Sequence, residues 1–174
     1  MLKITIPKTE LFDERTETFV NIPEQTLELE HSLFSVSKWE SKWEKPFLTD
    51  KQHTPEEFID YIKDMVINEK YVDDRVFSAL TQEHLIKIAD YMNAKMTATT
   101  IRKERSGGRA IITAEIIYQW MIALEIPFEC QYWHLNKLIT LIEVCNEKSK
   151  PPKKMSMKDT MRQNRTLNRS RLRR

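Results

Sequence analysis

Apolar and polar positions alternate at the start of the chain and then change period. Leu2, Ile4 and Ile6 are separated by Lys3 and Thr5, and Leu27 is separated from Leu29 by Glu28. A period of two sends successive side chains to opposite faces, so both segments predict half-buried strands. Between them, Asp13-Glu14-Arg15-Thr16 predicts a polar turn leading into a strand at Phe19-Val20. The expectation is a small antiparallel sheet within residues 1–31. Two or three strands are marginal alone, so the sheet is expected to pack on helices.

From residue 32 the period becomes helical. Leu33, Val36, Trp39 and Trp43 follow helical spacing behind a cap at Ser32 or Ser35, with Pro46 as the stop. Thr54-Pro55-Glu56-Glu57 places Thr at the N-cap, Pro in the first turn and Glu three residues after the cap. There the hydroxyl and the carboxylate each satisfy an orphan backbone N–H. Phe58, Tyr61, Ile62, Met65 and Val66 then form one apolar face. A short helix is expected over Asp74–Leu80, and another begins after Thr81 with Leu85, Ile88, Ala89 and Met92 inward. Residues 93–112 break the pattern. They hold the only two glycines, Gly107 and Gly108, beside Arg102, Lys103, Arg105 and Arg109, and predict an exposed basic loop. Thr113 is expected to cap a strongly apolar helix carrying Ile116, Ile117, Trp120, Met121 and Leu124, stopped by Pro127. A last helix is expected from about Phe128 to Asn146, with Leu135, Leu138, Ile139, Ile142 and Cys145 inward. The short connection predicts that these two helices pair as an antiparallel hairpin at the centre of the core.

The pattern therefore predicts a mainly α (α+β) protein in three parts. Residues 1–31 form the β-rich segment packed on the core, residues 32–148 the helical core, and residues 149–174 a basic flexible tail. With 40% hydrophobic residues, four Trp and seven Phe in 174 residues, a substantial core is expected without covalent staples. No run of about 18 apolar residues occurs, which argues against a membrane-spanning helix. The N-terminal residues lack the apolar stretch of a secretory signal, which predicts a protein that stays in the cytoplasm of the cell making it. Two cysteines, Cys130 and Cys145, are too few for a disulfide framework and are read as buried thiols.

Charge changes this picture. Net charge is only +2, yet residues 149–174 carry ten Lys or Arg against one acid, Asp159. The remainder carries 18 basic and 25 acidic residues. An acidic body with a basic tail suits binding to itself, to nucleic acid or to an acidic protein. Arg162, Arg165, Arg169, Arg171, Arg173 and Arg174 suit bidentate contact with phosphate or carboxylate. The tail has no aromatic residue, so base stacking is not expected.

Three further candidates carry chemistry. Ser37-Lys38-Trp39-Glu40 is followed at once by Ser41-Lys42-Trp43-Glu44, a repeat that aligns Trp39 and Trp43 on one helix face. The pair is read either as a docking surface or as filler in the seam between helix and sheet, and the frequent burial of Trp favours the second. Cys130 and His134 are four residues apart, but a zinc site needs four ligands. His31, His53 and His84 supply no second close pair, so a packed thiol and a hydrogen-bonded histidine are expected, with no metal or cofactor. Ser106-Gly107-Gly108-Arg109 lacks the Lys-Ser/Thr of a phosphate loop, and neither a G-x-S-x-G elbow nor an H-E-x-x-H helix occurs. A non-enzymatic protein is expected.

Several stretches resemble a family. They are Leu27-Glu28-Leu29-Glu30-His31-Ser32-Leu33 leading into Ser37-Lys38-Trp39-Glu40, then Met96-Thr97-Ala98-Thr99-Thr100, and most strongly Ile111-Ile112-Thr113-Ala114-Glu115-Ile116-Ile117-Tyr118-Gln119-Trp120-Met121. The last continues through Ile126-Pro127-Phe128-Glu129-Cys130 to Trp133-His134-Leu135-Asn136. Together they resemble tail assembly chaperones of long-tailed bacteriophages, encoded near the tape-measure gene. The resemblance implies a non-enzymatic protein of the host cytoplasm that coats the helical, hydrophobic tape-measure protein, helps recruit tail tube protein and then leaves. It supplies no catalytic residues. A homo-oligomer fits that role. The Trp repeat and the helix Thr113–Glu125 are the expected walls of a groove for an amphipathic partner helix. The alternatives are a structural virion protein of the tail or head–tail connection, and a nucleic-acid-binding protein acting through the basic tail.

Overall fold

The computed structural model describes residues 1–13, 17–49, 53–68, 72–99 and 111–149, with seven residues between Met157 and Arg169. The chain is mainly α with a β-rich N-terminus, as its periodicity predicts. Strands β1 (Leu2–Ile6), β2 (Thr9–Asp13), β3 (Thr18–Ile22) and β4 (Gln25–Leu29) come first. β1 pairs with β4 and β2 with β3, both antiparallel. The two ladders share one register, because the paired residue numbers add to the same total throughout. The N-terminus is thus one long hairpin, interrupted where Pro7 and Pro23 remove ladder donors.

The interruption also turns the ribbon over. Ile4, Ile6, Leu27 and Leu29 face the core in the first ladder, whereas Leu11, Val20 and Ile22 are the more covered positions in the second. The step from Ile6 to Thr9 is three positions, an odd number, so the covered face changes parity there. Phe12 and Phe19, directly paired, therefore look outward with Glu10.

The outer side of β4 is closed by the segment after the second helix. Glu30 donates its N–H to the Met65 carbonyl (2.9 Å) and Ile67 donates to the Glu28 carbonyl (2.8 Å). The Asn68 amide continues this edge, accepting from Glu28 N–H at 3.1 Å and donating to the Thr26 carbonyl at 2.9 Å. The outward carbonyls of Thr26 and Glu28 and the N–H of Glu28 on β4 are thereby paired.

Helix α1 (Leu33–Trp43) starts at Ser32, whose side chain accepts from Ser35 N–H. It stops before Pro46 is reached: Glu44 adopts a left-handed conformation and its N–H returns to the Glu40 carbonyl. Helix α2 (Pro55–Asp64) has the full Thr54–Glu57 capping box that the sequence predicts. A 3₁₀ turn covers Asp74–Ala79, and α3 (Gln82–Asn93) follows a Thr81 cap, with Ile88 buried and Leu85 and Met92 packed against the core. Helix α4 (Ala114–Ala123) buries Ala114, Ile117 and Met121.

Two helical expectations are corrected. Residues Phe128–Tyr132 form a separate 3₁₀ turn, and α5 begins only at Leu135 and runs to Ser149. The break falls at His134, which caps α5: its Nδ1 accepts from Asn136 N–H at 3.3 Å. With this insertion α4 and α5 do not form the expected central hairpin. The central element is α1, which packs on α2, on α4 and on the second 3₁₀ turn.

Candidate partner-binding site

The helix α1 that organises the core does so through the Trp repeat. Trp39 is fully buried and its indole N–H donates to the Glu57 carbonyl at 3.0 Å. Trp43, half-buried one turn later, donates to Asp60 Oδ2 at 2.9 Å. Both rings stack on each other with centroids 6.0 Å apart, so the repeat is a clamp holding α1 to α2. Burial pushes the Asp60 carboxyl up, but ion pairing with Lys42 and the Trp43 bond outweigh it, and Asp60 titrates below its usual range. The packing reading therefore holds for Trp39, with the correction that the seam lies between two helices. As a docking surface Trp39 is ruled out by its burial. Trp43 borders an open depression with Ile59 and Pro55.

On the other side of α1 lies an open groove of about 560 Å³. Phe34 from the first turn of α1, Tyr132 from the second 3₁₀ turn, and Met65, Val66 and Ile67 from the strand-like segment beside β4 line it. Phe34 and Tyr132 meet with ring centroids 5.3 Å apart, and Lys38 Nζ stands 5.0 Å over the Phe34 ring. Phe34, Ile67 and Tyr132 are exposed, and each has its apolar surface turned to solvent along the groove. The volume suits inserted side chains of a partner.

A polar knot lies next to the groove in sequence, at residues flanking its walls. His31 ends the strand region and His134 starts α5; their rings meet edge to face at 5.3 Å. His31 Nδ1 and the Tyr61 hydroxyl share a buried hydrogen bond of 2.5 Å, and the His31 carbonyl accepts from Leu135 N–H at 2.7 Å. Because His134 Nδ1 accepts from Asn136, its Nε2 carries the proton, which it donates to the Tyr91 carbonyl at 3.0 Å. The Tyr91 hydroxyl donates to Glu30 Oε1 at 2.6 Å, and the Asn136 amide donates to the Met92 and Ala94 carbonyls. Burial, aided by the neighbouring His134, holds His31 down to about 3, and burial raises the Tyr61 and Tyr91 hydroxyls. Both histidines are neutral at physiological pH, and every named contact is structural.

The other sequence candidates divide. Cys130 is buried, burial raises its thiol, and His134 is occupied as described, so the pair is packing rather than ligation. No cluster of three or more His, Cys, Asp or Glu suited to a metal occurs among the described residues. Arg162, Arg165 and Arg169 are helical and exposed at one-turn spacing. Arg102, Lys103, Arg105, Arg109, Arg171, Arg173 and Arg174 lie outside the described residues. Sequence patterning does not mark the groove residues Phe34, Ile67 and Tyr132. Their one signal there is an apolar side chain off the inward face of its element. Between the Trp repeat and α4 the expected groove is closed at Trp39, which is buried where α1 packs on α4. Among the described residues no helix is long and apolar enough to cross a membrane. Compared with known proteins, the chain matches no family model, no curated protein and no solved structure.

Proposed function

We propose that this protein is a non-enzymatic assembly chaperone that holds an amphipathic helical segment of a partner protein in the groove between α1, the second 3₁₀ turn and residues 65–67. The observation that carries the reading is an apolar opening walled by Phe34, Tyr132 and Ile67. Aromatic and aliphatic anchors in a concave, partly desolvated setting favour helix-in-groove binding, in which residues at i, i+3 or i+4 and i+7 insert. The polar knot supports this role because it fixes both walls, leaving little ordering entropy to lose when a partner enters.

The resemblance to tail assembly chaperones of long-tailed bacteriophages names the partner in this proposal as the tape-measure protein, with tail tube protein recruited to the complex in the host cytoplasm. Co-expression with the tape-measure protein tests it. The full chain is expected to co-purify, and Ile67→Asp, at an exposed position, and Phe34→Ser are expected to lose the complex, with far-UV circular dichroism showing that both remain folded. Undiminished binding by both variants ends the groove reading. Stoichiometric recovery of the chain from purified particles replaces the chaperone with a structural virion protein.

A further inference from the structure

The outward face of the β2–β3 ribbon, remote in sequence from the groove, carries an exposed aromatic pair. Phe12 and Phe19 are 54% and 67% exposed, and their rings touch each other at 5.2 Å between centroids. Glu10 shares this face and Glu17 is exposed at the start of β3. Across residues 8–24 there are five acids and two bases. At the other end of the chain, Arg165 and Arg169 are helical and exposed, and Met157 and Met161, four residues apart, are 80% and 57% exposed. Each copy thus displays an acidic aromatic face and, among its described C-terminal residues, exposed arginines and methionines.

The two are chemically complementary. Guanidinium planes stack on aromatic faces and pair bidentately with carboxylates, and thioethers make favourable contacts at ring edges. We propose that the outward face of the β2–β3 ribbon, centred on Phe12 and Phe19, binds Met157, Met161, Arg165 and Arg169 of a second copy of this chain. Arginines pair with Glu10 and Glu17, and Met157 or Met161 lies against the rings. The contact is heterologous, since different surfaces of the two copies meet, so it propagates head to tail or closes into a ring. It uses neither wall of the partner groove and stands or falls separately from the chaperone reading.

Sedimentation of the full chain over a range of concentrations at about 50 mM and about 500 mM salt tests it, since screening shortens the reach of exposed charges severalfold between these conditions. The expected result is a weight-average mass that rises with concentration at low salt and returns to the monomer at high salt. Phe12→Ser/Phe19→Ser is expected to remain monomeric at low salt. So are Glu10→Arg/Glu17→Arg, with two cationic surfaces, and Arg165→Glu/Arg169→Glu, with two acidic ones. Mixed in equal amounts, the last two are expected to associate again, because each then supplies what the other lacks. Far-UV circular dichroism checks that every variant is folded. A monomeric wild type at low salt, association that survives loss of both phenylalanines, or charge-reversed partners that stay apart on mixing overturns the proposal.

Discussion

Glu40, on α1, accepts the backbone N–H of Ala114 through Oε2 at 2.7 Å, although 74 residues separate the two. Thr113 occupies the N-cap position of α4 but its side chain makes no capping bond, so the buried carboxylate caps that helix from another element. Its second oxygen accepts from Phe47 N–H at 2.8 Å. A carboxylate at a helix N-terminus is favoured by the helix dipole as well as by the bonds themselves. Burial still raises the Glu40 carboxyl above its usual value, with the two backbone bonds opposing it.

Glu40→Ala is expected to leave both N–H groups buried without acceptors, at about 1–3 kcal/mol each. Urea denaturation should show a loss of roughly 2–6 kcal/mol. Thr113→Ala, at the position that the sequence nominates as the cap, should cost less than about 0.5 kcal/mol. Equal costs for the two substitutions contradict the cross-chain cap.

The Trp repeat should be energetically unequal despite its sequence symmetry. Trp39→Ala removes a fully buried ring and is expected to cost about 3–5 kcal/mol. Trp43→Ala removes a half-buried ring and its bond to Asp60, and is expected to cost about 1–2 kcal/mol. Chemical denaturation followed by the remaining indoles measures both.

Acid should weaken the fold through His31. In the unfolded chain this imidazole takes up a proton near its ordinary value of 6.5, whereas in the folded chain it resists until about 3. Its contribution is present in full above the unfolded value and is lost progressively as pH falls from there, amounting to roughly 2 kcal/mol at pH about 5. His134, also held low by burial, acts in the same direction. Denaturation curves between pH 5 and 7 should slope upward for the wild type and less steeply for His31→Gln, which keeps a partner for the Tyr61 hydroxyl. Identical slopes refute the assignment.

Asn68 stands in for a strand residue beside β4, with its amide bonded to Glu28 N–H and the Thr26 carbonyl. Asn68→Ala is expected to cost about 1–2 kcal/mol and to speed hydrogen exchange at the Glu28 amide while leaving Leu29 protected. Unchanged exchange at Glu28 argues against that role.

The sequence by itself determined the elements whose signals are local. The alternation of Leu2, Ile4 and Ile6 and the Thr54–Glu57 capping box involve residues within a few positions of each other, where periodicity and side-chain reach settle the outcome. The mainly α character with a β-rich start was readable for the same reason. Tertiary structure decided what depends on residues far apart in the chain. Glu40 replaced Thr113 as the cap of α4, His134 split the expected last helix, and α1 took the central place expected for α4 and α5. It also decided which apolar residues remain outside. Trp39 went into the core while Phe34, Ile67, Phe12 and Phe19 were left in solvent, because exposure depends on which faces meet and no single segment encodes that.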